Sequence, residues 1–501
     1  MIDKLPPVRV RFAPSPTGRT HLGSGRTALY NYLLARQTGG QFLLRIEDTD
    51  QKRYVPEAEQ ELIDSLHWLG LQWDEGPDVG GPYGPYRQSE RKQIYLEYAK
   101  QLIEKDKAYY CFCSPERLAR LREQQMRNKQ STMYDGLCRQ LTLEDAMRRV
   151  KQGEPHVIRF KTPKEGTITV RDYLRGEITV ENRTLDDYIL VKSDGWALYH
   201  LAAMVDDHLM RITHVLRSSE WLPTFPLHAH IIRAFGWQEP VFVHLSVFLK
   251  PSGKGKMSKR ESAELLQDGY SIFIKDLEHL GYLPEAVVNW IALMGWSYDD
   301  KTEFFTMQDL IEKFSLDHLN PSPAAINFTK FDHFNGLHIR HLSVEDLAHR
   351  VKPFLLRAGL QVDDQKLIQI APIIQERLVT LDDAVDMAAF FFQDHLEYDE
   401  ALLVGKNMTA ADSLKAVKES FDLLGRLEFD EKETLETALR SLADRMGLKA
   451  GQLFGILRIA VTGRSVSPPL IESMLILGKE TVLARIQIAI KKLEQAINQS
   501  A

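Results

Sequence analysis

The segment Ala13-Pro-Ser-Pro-Thr-Gly-Arg-Thr-His-Leu-Gly-Ser24 constrains this chain more than any other. It follows Val8-Arg-Val-Arg-Phe12, where Val8, Val10 and Phe12 alternate as one buried face of a strand. It opens onto Thr27-Ala-Leu-Tyr-Asn-Tyr-Leu-Leu-Ala-Arg36, which reads as a helix. A strand that passes through a Pro/Gly turn into a helix start is a place where backbone N–H groups and the helix dipole can hold phosphate. His21 can donate a hydrogen bond to a phosphate oxygen, and Gly23 lets a ligand approach the backbone. The same composition also suits a plain connecting turn. Gly39-Gly40 is a helix stop, and Phe42 to Ile46 reads as a second strand. This predicts a βαβ unit with a right-handed crossover and a parallel sheet. Ligands of such sheets bind beyond the carboxyl ends of the strands, where Arg11 and Glu47 stand.

Far downstream, Lys254-Gly-Lys256-Met-Ser-Lys259-Arg260 is a glycine-bearing basic loop. A basic run is most often a solvated surface. Combined with the first turn it suits adenylate chemistry, one element seating ATP and the other neutralising the departing pyrophosphate. The pair resembles the HIGH and KMSKS signatures of class I aminoacyl-tRNA synthetases, written here as His21-Leu-Gly-Ser24 and Lys256-Met-Ser-Lys-Arg260. Three further blocks resemble the bacterial type of glutamyl-tRNA synthetase: Phe42-Leu-Leu-Arg-Ile-Glu-Asp-Thr-Asp50, Tyr199-His-Leu-Ala-Ala-Met-Val-Asp-Asp207, and Gly281-Tyr-Leu-Pro-Glu-Ala-Val-Val-Asn-Trp290. The likeness is strongest from Val8 to Trp296. Ser24 replaces the last histidine of the first signature, and Ala203 stands where some members carry asparagine, so no role is carried over to it.

The resemblance implies an ATP site of Pro14, Ser15, Thr17, Gly18, His21, Gly23, Ser24, Met257, Ser258, Lys259 and Arg260, with His21, Lys256 and Lys259 acting in catalysis. It places Arg11, Ala13, Ser15, Glu47, Tyr199 and Arg217 around the amino acid. The chemistry agrees, because glutamate carries two carboxylates and one ammonium. Arginine clamps carboxylate in bidentate fashion, Tyr199 offers a hydroxyl, and Glu47 can pair with the ammonium. As plain alternatives, Arg11 would be an edge-strand residue and Arg217 a cation on a helix face.

Composition sets the outer bounds. At 501 residues the chain holds several domains, and 44% hydrophobic with 26% charged residues is ordinary for a globular protein. There is no long apolar run or leader-like start, so a cytoplasmic protein without a membrane partner is expected. A net charge of −6 does not advertise a nucleic-acid binder. All 3 cysteines gather as Cys111-Phe-Cys113 and Cys138, which argues for a metal site rather than a disulfide scaffold. Where some family members have a histidine, Gln140 stands here, and the family likeness makes Tyr134 the fourth ligand of one structural zinc. Three buried free thiols is the plain alternative.

The expected fold class is α/β: a Rossmann-like doubly wound parallel sheet with an inserted α/β module, followed by an all-helical C-terminal domain. The expected divisions, with the roles that the resemblance implies, are 1–85 for the first catalytic half, 86–194 for an inserted acceptor-binding module with the zinc, 195–250 for the second half, 251–334 for the lysine loop and stem-contact region, and 335–501 for a helical anticodon-binding domain; by its residues alone the last could equally be a helical oligomerisation module. In the last region Ser343 opens a helix with Val344, Leu347, Val351 and Phe354 on one face, closed by Gly359. Leu367, Ile370, Ile374, Leu378 and Leu381 repeat the spacing, as do Leu435, Ala438, Leu442 and Met446. The resemblance sets Arg377, Arg458 and Thr462 against the anticodon; an arginine on a helix face is more often simply solvated.

The resemblance implies a monomeric ligase that joins L-glutamate to tRNA(Glu) through a glutamyl-adenylate, using ATP with magnesium. A small-molecule adenylyltransferase would share the first turn but gives the helical region no task. A catalytically dead tRNA-binding paralogue would have lost His21 or the lysine loop. A shortened relative that modifies a tRNA base would lack the helical domain.

Overall fold

The computed structural model describes residues 7–255 and 259–500. Lys256, Met257 and Ser258 therefore lie outside the described residues, as do the side chains of Lys259 and Arg260. The chain divides into two compact units, Met1–Glu278 with Pro284–Phe328, and His279–Leu283 with Thr329–Ala501.

In the first unit, β1 (Arg9–Phe12) and β2 (Gln41–Leu44) are parallel, with Arg11 opposite Leu43 and Phe12 opposite Leu44. Helix α1 (Leu22–Thr38) makes the crossover. Its return depends on two glycines. Gly39 is left-handed at φ 67°, and a Cβ on Gly40 would sit 2.0 Å from the Val8 carbonyl oxygen. Any side chain at residue 40 would therefore push the helix off the strand.

Further strands of this unit are β3 (Ala108–Cys111), β4 (Val157–Phe160), β5 (Thr167–Asp172), β6 (Gly176–Glu181), β7 (Ile189–Val191), β8 (His214–Ser218) and β9 (Val241–Leu245), with a short parallel pair of Phe248–Leu249 and Ala324–Ala325 beside them. β8 pairs with β9 in parallel, β9 meets β5 in parallel at Asp172–Phe242, and β5 and β6 form an antiparallel hairpin. Thr213 joins this sheet to β1: its N–H donates to the Arg9 carbonyl, and its Oγ1 accepts from the Arg9 N–H at 2.9 Å. The β5–β6 hairpin thus extends the nucleotide-type sheet, although it falls in the stretch expected to be a separate insertion. The reason is visible along β5, where Ile168, Val170 and Asp172 alternate inward. β3, β4 and β7 form their own antiparallel sheet, in the order β3-β4-β7.

Arg11 is buried on the face opposite Val10 and Phe12, so β1 is covered on both sides, as parallel strands usually are. Among the described residues no helix is long and apolar enough to cross a membrane.

The second unit is helical, with no strand among its described residues. Ser343 caps Val344–Arg357 by accepting from the Asp346 N–H. The buried stripe is Leu347, Ala348, Val351 and Leu355, while Phe354 is half-buried. Leu367, Ile370, Ile374, Leu378 and Leu381 are all buried, yet the helix Asp364–Ile374 ends before the last two. Pro372 lies inside its final turn and removes a backbone donor, and the chain tightens into a 3-10 turn at Gln375–Arg377.

Candidate active site

The turn ahead of α1 is fixed by His21. Its Nδ1 accepts from the N–H groups of Gly23 at 3.1 Å and Ser24 at 3.3 Å, capping the helix. The Leu22 N–H donates to the Ile272 carbonyl, and the Gly25 N–H to the His21 carbonyl. The first-turn amides expected to cradle phosphate are thus already bonded. Because Nδ1 accepts, the proton sits on Nε2, and it is this edge of the ring that can reach a phosphate. The close approach at Gly23 is made by the same ring, since a Cβ there would lie 3.0 Å from His21 Cε1.

Ile272 and Ile274 clasp this turn from the far side, the Ile274 N–H donating to the Thr20 carbonyl. The segment after the lysine loop is therefore locked to the first signature. Ahead of that loop, the Lys250 N–H donates to the Gly255 carbonyl in a tight turn.

A cavity of about 410 Å³ opens between these elements. Arg11, Ala13, Ser15, His21, Gly23, Ser24, Glu47, Tyr199 and Arg217 all line it. Pro14, Thr17 and Gly18 do not. Pro14 acts through its backbone, its carbonyl accepting from the Glu47 N–H at 2.9 Å, which ties the turn to the end of β2. Ala203 is fully buried away from the cavity. Trp221, which the sequence reading passed over, lines it and stacks on Tyr199 with ring centroids 3.9 Å apart.

One wall is a buried ionic cluster. Arg11 holds Asp207 with Nε at 2.9 Å and Nη2 at 3.3 Å, and Arg45 reaches Asp207 at 2.8 Å and Glu47 at 2.9 Å. The Arg11 fork expected to clamp substrate is thus engaged by Asp207, leaving Nη1 without a partner among the described residues. Glu47 gives Oε1 to Arg45, and Oε2 has no partner among the described residues. Burial raises the Glu47 carboxyl above its ordinary range against the pull of Arg45 and Arg11. Burial opposes ionisation of Asp207 too, but Arg11 and Arg45 outweigh it and hold that carboxyl low. Asp206, also buried, accepts from Gln88, Arg91 and Tyr95 and fixes the helix Tyr199–Leu209 that carries both aspartates.

The opposite wall is built around Arg217 on β8. Its Nε donates to His244 Nε2 at 3.0 Å, Nη2 to His228 Nδ1 at 3.0 Å, and Nη1 to the Tyr199 hydroxyl at 3.3 Å. No carboxylate of the described residues lies within ion-pair distance of it. Burial lowers its pKa.

Cys111, Cys113 and Cys138 place their sulfurs within 4.8 Å of one another, as a set that could hold a metal ion. Cys113 and Cys138 sulfurs are 3.5 Å apart, and the Tyr134 hydroxyl lies 3.5 Å from Cys111 and 3.4 Å from Cys113. Ligands of a tetrahedral zinc with bonds of about 2.3 Å stand about 3.8 Å from one another, so the donor set fits. The bond with Cys138 draws the Cys111 thiol down, while the same bond and burial push Cys138 up.

In the second unit, Arg377 is exposed and close enough to Arg458 to reinforce the lowering that burial imposes on the Arg458 pKa. Arg458 donates to the Ser467 hydroxyl at 3.0 Å. Thr462 departs from expectation. It is 1% exposed, and its hydroxyl donates to the Arg458 carbonyl at 2.8 Å, so it finishes its own helix rather than facing a ligand.

A family model described as the catalytic domain of class I tRNA synthetases (E and Q) matches residues 7–333, and an anticodon binding domain model matches residues 346–490. The clasped nucleotide-type turn and the helical second unit thus fall within the class I synthetases. Glutamate–tRNA ligases of Dehalococcoides mccartyi and Roseiflexus castenholzii are 45% and 46% identical, over 97% and 98% of this chain and 99% and 97% of theirs. A crystal structure of a glutamate tRNA ligase from Elizabethkingia meningosepticum, in complex with its amino acid, superposes with a TM-score of 0.89 at 37% identity, covering 97% of this chain and 100% of that one. The chain belongs to the glutamate–tRNA ligase family.

Proposed function

We propose that this enzyme attaches L-glutamate to tRNA(Glu) for protein synthesis, with Arg217 receiving the side-chain carboxylate of the amino acid. The observation that carries this reading is a buried guanidinium on a cavity wall with no carboxylate partner among the described residues. A fixed cation in that state needs an anion from outside. Glu47 Oε2 suits the α-ammonium, and Arg11 Nη1 suits the α-carboxylate. Tyr199 and Trp221 close the pocket as a stacked pair.

ATP, as its magnesium complex, enters against His21, Ser15 and Ser24. The α-carboxylate attacks the α-phosphorus in line, and pyrophosphate leaves against His21 and the lysines Lys256 and Lys259, with Met257, Ser258 and Arg260 completing the loop. The terminal ribose hydroxyl of tRNA then attacks the carbonyl of the mixed anhydride and releases AMP. Positioning and charge stabilisation carry both steps, and no side-chain base is required. Residues 86–194 receive the acceptor end, 251–334 the stem, and 335–501 the anticodon through Arg377 and Arg458. The enzyme acts as a cytoplasmic monomer.

Cys111, Cys113, Cys138 and Tyr134 hold one structural zinc, which fixes the connection between β3 and the turn at Cys138. Elemental analysis is expected to find one zinc per chain; none, in gently purified protein, removes this site.

Purified enzyme is expected to charge tRNA(Glu) with glutamate and to exchange pyrophosphate into ATP only when tRNA is present, as in the subgroup it resembles. Charging with another amino acid would sink the assignment, and full exchange without tRNA would remove the tRNA dependence.

A further inference from the structure

The groups hydrogen-bonded to Arg217 are two imidazoles and a phenol, and the imidazole protons can be placed one by one. Arginine only donates, so His244 Nε2 and His228 Nδ1 must both be bare acceptors. The His244 proton is then on Nδ1, where Asp172 Oδ2 accepts it at 2.8 Å while also taking the His244 backbone N–H at 3.0 Å. The His228 proton is on Nε2 and points at His200 Nδ1, 3.0 Å away. Arg217 therefore sits at the centre of a directional chain, Asp172–His244–Arg217–His228–His200, with donors running outward from the guanidinium. His228, His244 and Asp172 are fully buried.

We propose that His228 and His244, the latter oriented by Asp172, are positioning residues that hold the Arg217 guanidinium through neutral imidazoles, so that its charge stays available to the substrate's side-chain carboxylate. The proposal rests on the reading that Arg217 meets that carboxylate. Two observations support the neutral state. Burial lowers the histidines, His244 to about 4 and His228 well below the usual imidazole value, with the Arg217 cation adding to the effect. The sole carboxylate in this series of five residues, Asp172, is one imidazole removed and is itself occupied by the Leu174 and Arg175 N–H groups at 3.2 and 3.1 Å. A carboxylate placed directly at residue 228 or 244 would fix the guanidinium equally well. It would also form a buried ion pair that the substrate would have to displace. Neutral acceptors give the geometry without that competition.

The test compares charged and neutral acceptors at these positions in the full-length chain with tRNA. His228→Glu and His244→Glu are expected to raise the glutamate KM about thirtyfold or more with kcat changed about threefold at most, a loss of about 2 kcal/mol in binding. Glutamine should be affected less, so the preference for glutamate shrinks. His228→Gln and His244→Gln, which keep a neutral acceptor, should recover glutamate KM to within about fivefold of the parent. Equal losses in the Glu and Gln variants, for both amino acids, would mean that the histidines serve folding alone, and the proposal would fall. Arg217→Ala is the separate control: equal losses there for glutamate and glutamine overturn the reading of Arg217 itself. Neutron diffraction of the deuterated parent gives a check that needs no variant. Deuterons on His244 Nδ1 and His228 Nε2 support the chain, and one on His244 Nε2 or His228 Nδ1 overturns it.

Discussion

Arg11 and Arg217 stand on two walls of one cavity and are held in opposite ways. Arg11, with Arg45 behind it, is locked to carboxylates: Asp207 takes both arginines, and Glu47 takes Arg45. Arg217 meets two imidazoles and a phenol. Both environments are buried and hydrogen-bonded, so burial alone does not separate them. What differs is whether the protein neutralises its own cation. The acid-paired arginines tie β1 and β2 to the helix Tyr199–Leu209 and define the cavity wall. The acid-free arginine leaves an electrostatic demand that, on the proposed reading, the substrate's carboxylate meets. A buried ion pair is weak evidence for stability, but breaking one is costly, because the remaining charge is stranded.

The sharpest way to break this comparison is to remove one arginine from each wall. Arg45→Ala strands Glu47, leaves Asp207 to Arg11 alone and takes a cation from beside Asp206. It is expected to destabilise the first unit by about 3–5 kcal/mol, a large part of a domain's stability. Chemical denaturation followed at the first unit's tryptophans reads this directly. Arg217→Ala should leave that transition within about 1 kcal/mol of the parent, since the emptied space opens on the cavity and water can replace the lost donors. Its glutamate kcat/KM should instead drop by about two to four decades, with glutamine hit much less. If Arg45→Ala folds normally, or Arg217→Ala unfolds the unit, the contrast between the two walls is wrong.

How much of this was legible in the sequence follows from range. The strand, turn and helix around His21 are local, and alternation plus the Gly39-Gly40 stop located them. Arg11 and Glu47 followed because strand ends are where such sheets bind ligands. Tyr199 and Arg217 came through family likeness, and both line the cavity. The partners of these residues were not legible. Asp207 is 196 residues from Arg11, and His244 is 27 residues from Arg217, so no spacing rule connects them. A weak signal was present: His244 interrupts the apolar run Val241–Leu245, and a polar residue inside a buried strand needs a partner. Thr462 was misplaced because helical spacing does not say whether a hydroxyl turns back to its own backbone. Pro372 could have warned that the helix carrying Ile374 would end there.

The acid-free wall should also respond to pH differently from the acid-paired one. His244 faces Asp172, Arg217 and the rings of Phe225 and Phe242, and its folded pKa is lowered to about 4, chiefly by burial. Its unfolded value is about 6.5, so the unfolded chain binds the extra proton first. The stability it contributes is then fully present above about pH 6.5 and is lost as pH falls toward and through about 4. The span corresponds to about 3 kcal/mol for this one group. Melting of the parent should drop over that window, and His244→Gln should drop less steeply. A variant with the parent's slope would show that His244 is already charged in the folded protein, which would make both walls ionic.

The smallest effect separates fixing the Arg217 charge from orienting it. The Tyr199 hydroxyl accepts from Nη1 at 3.3 Å, a long bond, while the Tyr199 ring is held independently by its stack on Trp221. Tyr199→Phe removes the acceptor and keeps the ring, and the histidines still hold the other two nitrogens. The freed N–H faces the cavity, where water or the substrate carboxylate can accept it, so no donor is stranded. A hydrogen bond of this kind contributes about 0.5–1.5 kcal/mol, so the glutamate KM should rise about two- to tenfold with kcat little changed. The relative preference for glutamate over glutamine should persist, because the cation and its neutral shell remain. If Tyr199→Phe erases the preference as fully as Arg217→Ala does, the phenol is itself a selecting contact, and the shell around Arg217 is not sufficient to orient it.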